Sequence, residues 1–216
     1  PNFNSDQWHK YNNAIEVKKT CNNWNVFPPT TYQVFNYLNS DHFLKTLRSV
    51  IFKNEKLHSD VGLNGGGWHI HKQGGKLNTH LDYSLHPKLG LQRKLNIIIY
   101  LNSNWKEEWD GNLGLWSNES DQKPGNLVKQ IEPKFNRAIL FDTTQNSWHG
   151  LPNPLKCPRN EFRKSMAVYY LCEPPKNINK RGKALFAPTD EQANDKAVID
   201  LIKKRSDIKT ASSTYK

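Results

Sequence analysis

The chain is 216 residues long, enough for one well-buried domain or one domain with helical flanks, and it has no run of about 18 apolar residues that would make a transmembrane helix. Twelve glycines and twelve prolines, with seven Trp, eight Tyr and nine Phe, suit a strand-rich, turn-rich fold. The formal charge of +11 leaves nucleic acid, acidic proteins and acidic metabolites open as partners, while three cysteines without C-x-x-C spacing favour a reduced, cytoplasmic setting over a disulfide scaffold.

Residues 1–30 are polar and Asn-rich, anchored by Trp8, Trp24 and Phe27 and broken by Pro28-Pro29. Behind Ser40-Asp41, an N-cap pattern, Phe43, Leu44, Leu47, Val50 and Ile51 recur at helical spacing and predict a helix over 41–53 on the outside of a sheet. Gly65-Gly66-Gly67 opens an all-β region. Strands are expected at 68–72, 78–84, 94–101, 112–117, 126–132, 137–142, 146–150 and 163–171, separated by Gly- and Pro-marked turns. Such short strands point to an all-β core with flanking helices, built as a double-sheet jelly roll. After Pro174-Pro175 the sequence turns basic; a helix is expected over 191–204 behind a Thr189-Asp190 cap, and the last ten residues are expected to lack order. The chain thus divides into an N-terminal flank (1–65) whose helix packs on the core, the jelly-roll core (66–172) and a basic C-terminal extension with one helix (173–216).

The core is organised around Thr79-His80-Leu81-Asp82-Tyr83. On a strand, side chains two apart point the same way, so His80 and Asp82 offer an imidazole and a carboxylate to one point while Leu81 faces away. His149, in Ser147-Trp148-His149-Gly150, would complete a 2-His-1-carboxylate facial triad, which leaves three cis positions of an octahedral Fe(II) open. Alone the H-x-D pair is weak, since eight histidines and 20 acidic residues make one chance occurrence unsurprising. Downstream, the strand from Phe162 to Leu171 puts Arg163, Ser165 and Ala167 on one face and Lys164, Met166 and Val168 on the other. A guanidinium turned inward is costly unless an anion meets it, and it can grip a carboxylate in two places, with the Ser165 hydroxyl adding a further bond. An inward arginine implies a bound acid, and a metal nearby implies an acid that chelates.

In order, spacing and strand context the chain resembles the Fe(II)/2-oxoglutarate-dependent dioxygenases, specifically the prolyl-4-hydroxylase-like branch that includes the hypoxia-type prolyl hydroxylases, over about residues 66–172. Three stretches carry the likeness: His80-Leu81-Asp82 with the run from Arg93 to Asn102 and Trp105; Ile131 to Arg137 leading to Phe141; and His149 with Arg163 and its aromatic strand end. The resemblance implies that His80, Asp82 and His149 hold Fe(II) and that Arg163 binds the distal carboxylate of 2-oxoglutarate. Tyr100 would donate its hydroxyl to the same group, or else is an ordinary core tyrosine. Ser165 matches an arginine-x-serine pattern, and Leu113 and Ile98 match apolar positions lining the co-substrate pocket.

The implied cofactors are Fe(II), 2-oxoglutarate and O2, with ascorbate as an accessory reductant, and no catalytic residue is required beyond the metal ligands. The implied reaction is hydroxylation of an unactivated C–H on a prolyl residue of a protein or peptide. The alternatives are a small-molecule substrate (amino acid, lipid precursor or sugar) and a non-catalytic jelly-roll binding module. Nucleic acid is disfavoured, because Tyr169 stands where nucleic-acid demethylases of this fold carry a second arginine, and no membrane partner is expected; the sequence is silent on oligomeric state. Three departures stand out: Ile70 where relatives have a tyrosine ten residues before the first iron ligand, Asp110-Gly111 in place of Gly-Gly, and a longer segment from Pro152 to Glu161. His69 and His71, two apart, offer a competing cupin-type metal pair, but no glutamate follows at the needed spacing. Residues 176–216 are expected to be dispensable for 2-oxoglutarate binding but to influence substrate recognition, because the matched motifs all end by Leu171.

Overall fold

Two antiparallel sheets carry the chain in a computed structural model that describes residues 2–51, 56–144, 146–178 and 180–215. A hairpin of β1 (His9–Asn12) and β2 (Glu16–Cys21) leads into helices α1 (Pro29–Leu38) and α2 (Asp41–Val50). There follow β3 (His58–Ser59), β4 (Gly67–His71), β5 (Lys76–Leu77), β6 (His80–Leu81), β7 (Gln92–Tyr100), β8 (Leu113–Ser120) and β9 (Lys123–Ile131). The chain continues through β10 (Ala138–Asp142), β11 (His149–Gly150), β12 (Arg163–Cys172), β13 (Leu185–Phe186) and helix α3 (Lys196–Ser206). The major sheet has the order β1-β2-β4-β12-β7-β10, with β3 beside β12 and β5 beside β2; the minor sheet has the order β13-β6-β11-β8-β9. This is the double-stranded β-helix, or jelly roll, that the turn spacing predicts.

The pleat sorts the side chains. On β12, Met166, Val168 and Tyr170 enter the apolar core, whereas Arg163, Ser165, Ala167 and Tyr169 line a cavity of about 330 Å³ between the sheets. On β7, Leu95, Ile97 and Ile99 take the core side, and Asn96 and Ile98 the cavity side. Helices α1 and α2 cover the core face with Phe35, Leu38, Leu44 and Leu47. The Tyr170 hydroxyl ties α1 down by donating to the Leu38 carbonyl at 3.0 Å. Each such apolar side chain stabilises by about 1.5–3 kcal/mol when fully buried, so these ten-residue helices are held by packing rather than by propensity.

Several boundaries differ from expectation for local reasons. Pro28-Pro29 starts a helix instead of merely breaking the chain: Pro29 is its first residue, where a missing N–H costs nothing. Ser40 does cap α2, accepting from the Phe43 amide at 3.2 Å, but the helix ends at Val50, and residues 52–53 lie outside the described residues. At the other end Asp195, not Thr189, caps the long helix, accepting from the amides of Ala197 and Val198 at 2.9 and 3.2 Å. Thr189 caps a short 3-10 turn, Asp190–Gln192. Within the stretch expected to lack order, Ala211–Thr214 form a 3-10 turn in which Ala211 and Thr214 are buried. Both flanks supply strands, β1 and β2 to the major sheet and β13 to the minor one.

Cys21, Cys157 and Cys172 are all buried free thiols, and burial raises the Cys157 pKa. All three are expected to react with a thiol reagent in the unfolded, unreduced protein and to be protected in the native one. A shortfall in the unfolded count would reveal a disulfide. Among the described residues no helix is long and apolar enough to cross a membrane.

Candidate active site

His80 on β6 faces His149 on β11 directly across the minor sheet, and Asp82 follows just past the end of β6. One ligand atom from each of the three lies within 4.8 Å of the others, and all three residues are buried. The Nδ1 of His80 is 2.9 Å from the Asn78 carbonyl, and that of His149 is 2.7 Å from the Ser147 carbonyl. A carbonyl only accepts, so both Nδ1 atoms carry the proton and both Nε2 atoms present lone pairs. Those Nε2 atoms stand 3.7 and 3.9 Å from the Asp82 carboxylate oxygens. Two imidazole lone pairs and a carboxylate thus converge in a buried space, a donor set that a divalent cation completes.

Further residues fix the carboxylate. The Tyr169 hydroxyl donates to Asp82 Oδ2 at 2.9 Å, and Arg93 Nη1 lies 3.8 Å from Oδ1. Burial opposes the Asp82 charge, but the Arg93 guanidinium and the Tyr169 hydrogen bond help hold its pKa below the ordinary carboxylate range. Burial, then the charge on Asp82, pushes Tyr169 well above the usual phenol value, so it remains a donor. The Arg93 guanidinium is sandwiched between the rings of Tyr83 and Tyr169, 3.4 and 3.5 Å from their centroids, and donates to the Asn64 carbonyl. Phe186 of β13 stacks on His80 with centroids 4.9 Å apart, and Arg181 Nε donates to the Asp82 backbone carbonyl at 2.9 Å. Sequence reasoning gave Tyr169, Arg93, Phe186 and Arg181 no role here; Arg93 entered it only as the first residue of the matched run to Asn102.

Arg163 is 4% exposed on β12, with its side chain in the cavity. Its Nε donates to the Gly111 carbonyl at 2.6 Å, and its Nη2 lies 3.4 Å from the Tyr100 hydroxyl. Neither neighbour is an anion, and burial lowers the Arg163 pKa with only Tyr100 opposing it. A buried guanidinium facing a cavity, with no carboxylate paired to it among the described residues, is a fit for an acidic ligand. Ser165, Ile98 and Leu113 line the same cavity, and Tyr100 is fully buried behind it. The turn that Asp110-Gly111 forms is intact: Asp110 takes φ +58°, held by Lys156 at 2.9 Å and by Asn153 Nδ2 at 2.9 Å. Gly111 has φ +90°, and a Cβ there would press on Arg163 Cδ at 3.1 Å. The long segment before β12 folds back under this turn, with the Lys156 amide donating to the Trp109 carbonyl at 3.0 Å. Arg159 and Lys164 are exposed.

Ile70 does not line the cavity. Ile70 and Trp68 lie against the helix-covered core, and it is His69 and His71 that line the cavity from β4. Strand pleat decides this; counting ten residues back from His80 does not. The two histidines join no cluster of three metal-ligating groups among the described residues.

Residues 66–171 match the model of the 2OG-Fe(II) oxygenase superfamily. Prolyl 3-hydroxylase OGFOD1 of Xenopus laevis is 30% identical over 57 residues, which are 26% of this chain and 11% of that protein. The chain therefore spans about a tenth of that relative's length. Among solved structures, the prolyl-4-hydroxylase of Pseudomonas putida aligns with a TM-score of 0.53 at 14% identity, covering 79% of each chain. A prolyl hydroxylase of Trichoplax adhaerens, in complex with a hypoxia inducible factor oxygen degradation domain peptide, aligns with a TM-score of 0.51 at 18% identity, covering 77% of this chain and 71% of the other.

Proposed function

We propose that this chain, whose residues 66–171 belong to the 2OG-Fe(II) oxygenase superfamily, hydroxylates a prolyl residue of a protein or peptide using Fe(II), 2-oxoglutarate and O2. One observation carries the reading: three buried acceptor groups converge within 4.8 Å in the cavity that also holds an uncompensated, buried Arg163. His80, Asp82 and His149 hold the metal. Arg163, with the Tyr100 hydroxyl, takes the distal carboxylate of 2-oxoglutarate; Ser165 adds a polar contact, and Ile98 and Leu113 form the apolar sides. When bound, the metal would activate O2, the oxidant, with one oxygen atom ending in the substrate hydroxyl and the other in succinate as 2-oxoglutarate is oxidatively decarboxylated with loss of CO2.

The protein's own part is orientation and exclusion of water. The Asn78 and Ser147 carbonyls fix both imidazoles in the tautomer that turns Nε2 to the metal. Tyr169 and Arg93 occupy the Asp82 oxygens from the outer side and keep the carboxylate ionised. Phe186 and Phe141 flank the two histidine rings and shield them. Peptide substrate is favoured by the prolyl hydroxylase likenesses, one of them to a protein bound to a peptide. A small-molecule substrate is the second reading, because both flanks wall the cavity: Tyr11 and Lys18 from one, Lys183 and Tyr215 from the other. The binding-module reading is disfavoured, since the whole ligand set and Arg163 are in place together.

Succinate formation from 2-oxoglutarate, over a panel of proline-containing peptides and small metabolites, tests the reading. Stimulation by peptides and not by metabolites is expected, and no turnover with any would overturn it. Arg163→Ala is expected to weaken 2-oxoglutarate binding about 30-fold or more, the equivalent of a charge-assisted contact whose partner stays buried, with metal affinity unchanged. Arg163→Lys recovers only part, because an ammonium lacks the paired planar contact. Arg159→Ala and Lys164→Ala, both at exposed positions, are expected to bind like the unaltered chain. Loss of 2-oxoglutarate in Arg159→Ala alone would overturn the assignment of Arg163.

A further inference from the structure

Among the polar groups lining the cavity, His71 stands apart. It is 2% exposed, its side chain enters the cavity from β4, and neither ring nitrogen has a hydrogen-bond partner among the described residues. Buried polar atoms are nearly always paired, so an imidazole with both nitrogens bare marks a place where something else supplies the partner. Its neighbour on the same face, His69, is the internal contrast: the Gly65 carbonyl meets that ring at 3.2 Å. The strand register says which ligand group lies within reach. His71 is the direct cross-strand partner of Arg163, and His69 that of Ser165. Cβ atoms of directly opposed residues in an antiparallel pair are about 4.5–5.5 Å apart, so His71 and Arg163 point into the same part of the cavity.

We propose that His71 is a second anchor for the acid that Arg163 binds, donating a ring N–H to the distal carboxylate of 2-oxoglutarate and thereby helping to select a dicarboxylic co-substrate. The inference rests on the site reading given above. Burial, then the charges of Arg163, Lys18 and His69, hold the His71 imidazole well below its ordinary pKa. The ring is therefore neutral and has one N–H to give and one lone pair to receive. A neutral donor beside a guanidinium suits a carboxylate: it adds a hydrogen bond without a second buried cation repelling the first. It also gives the H-x-H pair on β4 a role that needs no second metal.

The test measures equilibrium binding of two ligands to the metal-loaded protein, by calorimetry in the absence of O2. One ligand is 2-oxoglutarate; the other is 2-oxopentanoate, of the same length but without the distal carboxylate. His71→Phe, similar in size and unable to hydrogen-bond, is expected to weaken 2-oxoglutarate about tenfold or more and to leave 2-oxopentanoate unchanged. His71→Gln, which keeps an N–H donor, is expected to restore most of the loss. A His71→Phe protein that binds both ligands as the unaltered chain does, or that weakens both alike, overturns the proposal. If that variant fails to fold, His71→Ser, whose hydroxyl is too short to reach, takes its place with the same two outcomes. Failure of the unaltered chain to bind 2-oxoglutarate strikes instead at the site reading on which the proposal rests.

Discussion

Replacing His149 by alanine is expected to abolish Fe(II) binding and turnover while leaving the fold in place. The site offers three protein ligands to a metal that would draw its remaining ligands from co-substrate and solvent, so losing one imidazole removes a third of what the protein contributes. The fold should survive because His149 lies on a two-residue strand whose neighbours Trp148 and Leu151 keep their own packing. His80→Ala is expected to behave alike, with a further cost from the Phe186 ring that stacks on it. Asp82 is the poorer choice for this experiment. Its removal strands Arg93, 1% exposed, without its carboxylate, and breaking a buried ion pair costs about 3–5 kcal/mol. Thermal unfolding with and without metal separates the cases: the unaltered chain is expected to gain stability from Fe(II) or Mn(II), and the His149→Ala protein to gain none. A His149→Ala protein that still binds metal with native affinity would refute the assignment of His149.

The features legible in the sequence are those that strand alternation writes plainly. On β12 every second residue from Arg163 to Tyr169 faces the cavity, and beyond Lys164 the intervening ones enter the apolar core, so both the register and the inward arginine could be read directly. His80 and Asp82 are two apart for the same reason. Alternation says least where both faces are polar. On β2 the cavity side holds Glu16, Lys18 and Thr20, and Lys19 stands between Val17 and Cys21 on the opposite side, so a lysine on each face blurs the period. Strand β13 is two residues long, too short for any period. The helix α1 was hidden by its own start, since a proline pair marks a break and a first helical turn equally well. The supports of Asp82 come from β7, β12 and the segment before β13, far apart in sequence, and only the closed fold brings them to one carboxylate.

Deleting residues 176–216 is expected to destroy the metal site, the reverse of what the sequence motifs, all ending by Leu171, led us to expect. Strand β13 pairs with β6, placing Leu185 opposite Leu81 and Phe186 opposite His80. The Ala187 amide donates to the Thr79 carbonyl at 2.8 Å, and Asn78 Nδ2 to the Ala187 carbonyl at 3.1 Å. Arg181 holds the Asp82 backbone, while its own carbonyl accepts from the Ser84 amide at 2.8 Å. The extension therefore brackets the His80-Leu81-Asp82 stretch on both sides. Helix α3 adds a tie to the opposite end of the chain, because Arg205 Nε meets Glu16 at 2.9 Å and Glu16 is fully buried. Truncation at Pro175 leaves that carboxylate with Lys18, 3.3 Å away, as its one remaining ion pair among the described residues and bares the edge of β6. Loss of both metal and 2-oxoglutarate binding should follow. The point variant Arg205→Ala isolates the tie from the bracket: breaking a buried pair costs about 3–5 kcal/mol, a fall in Tm on the order of 10 °C in a domain of this size, with the metal site still formed below the transition. A truncated protein that binds metal and 2-oxoglutarate as the full chain does would show that β6 holds its ligands without β13.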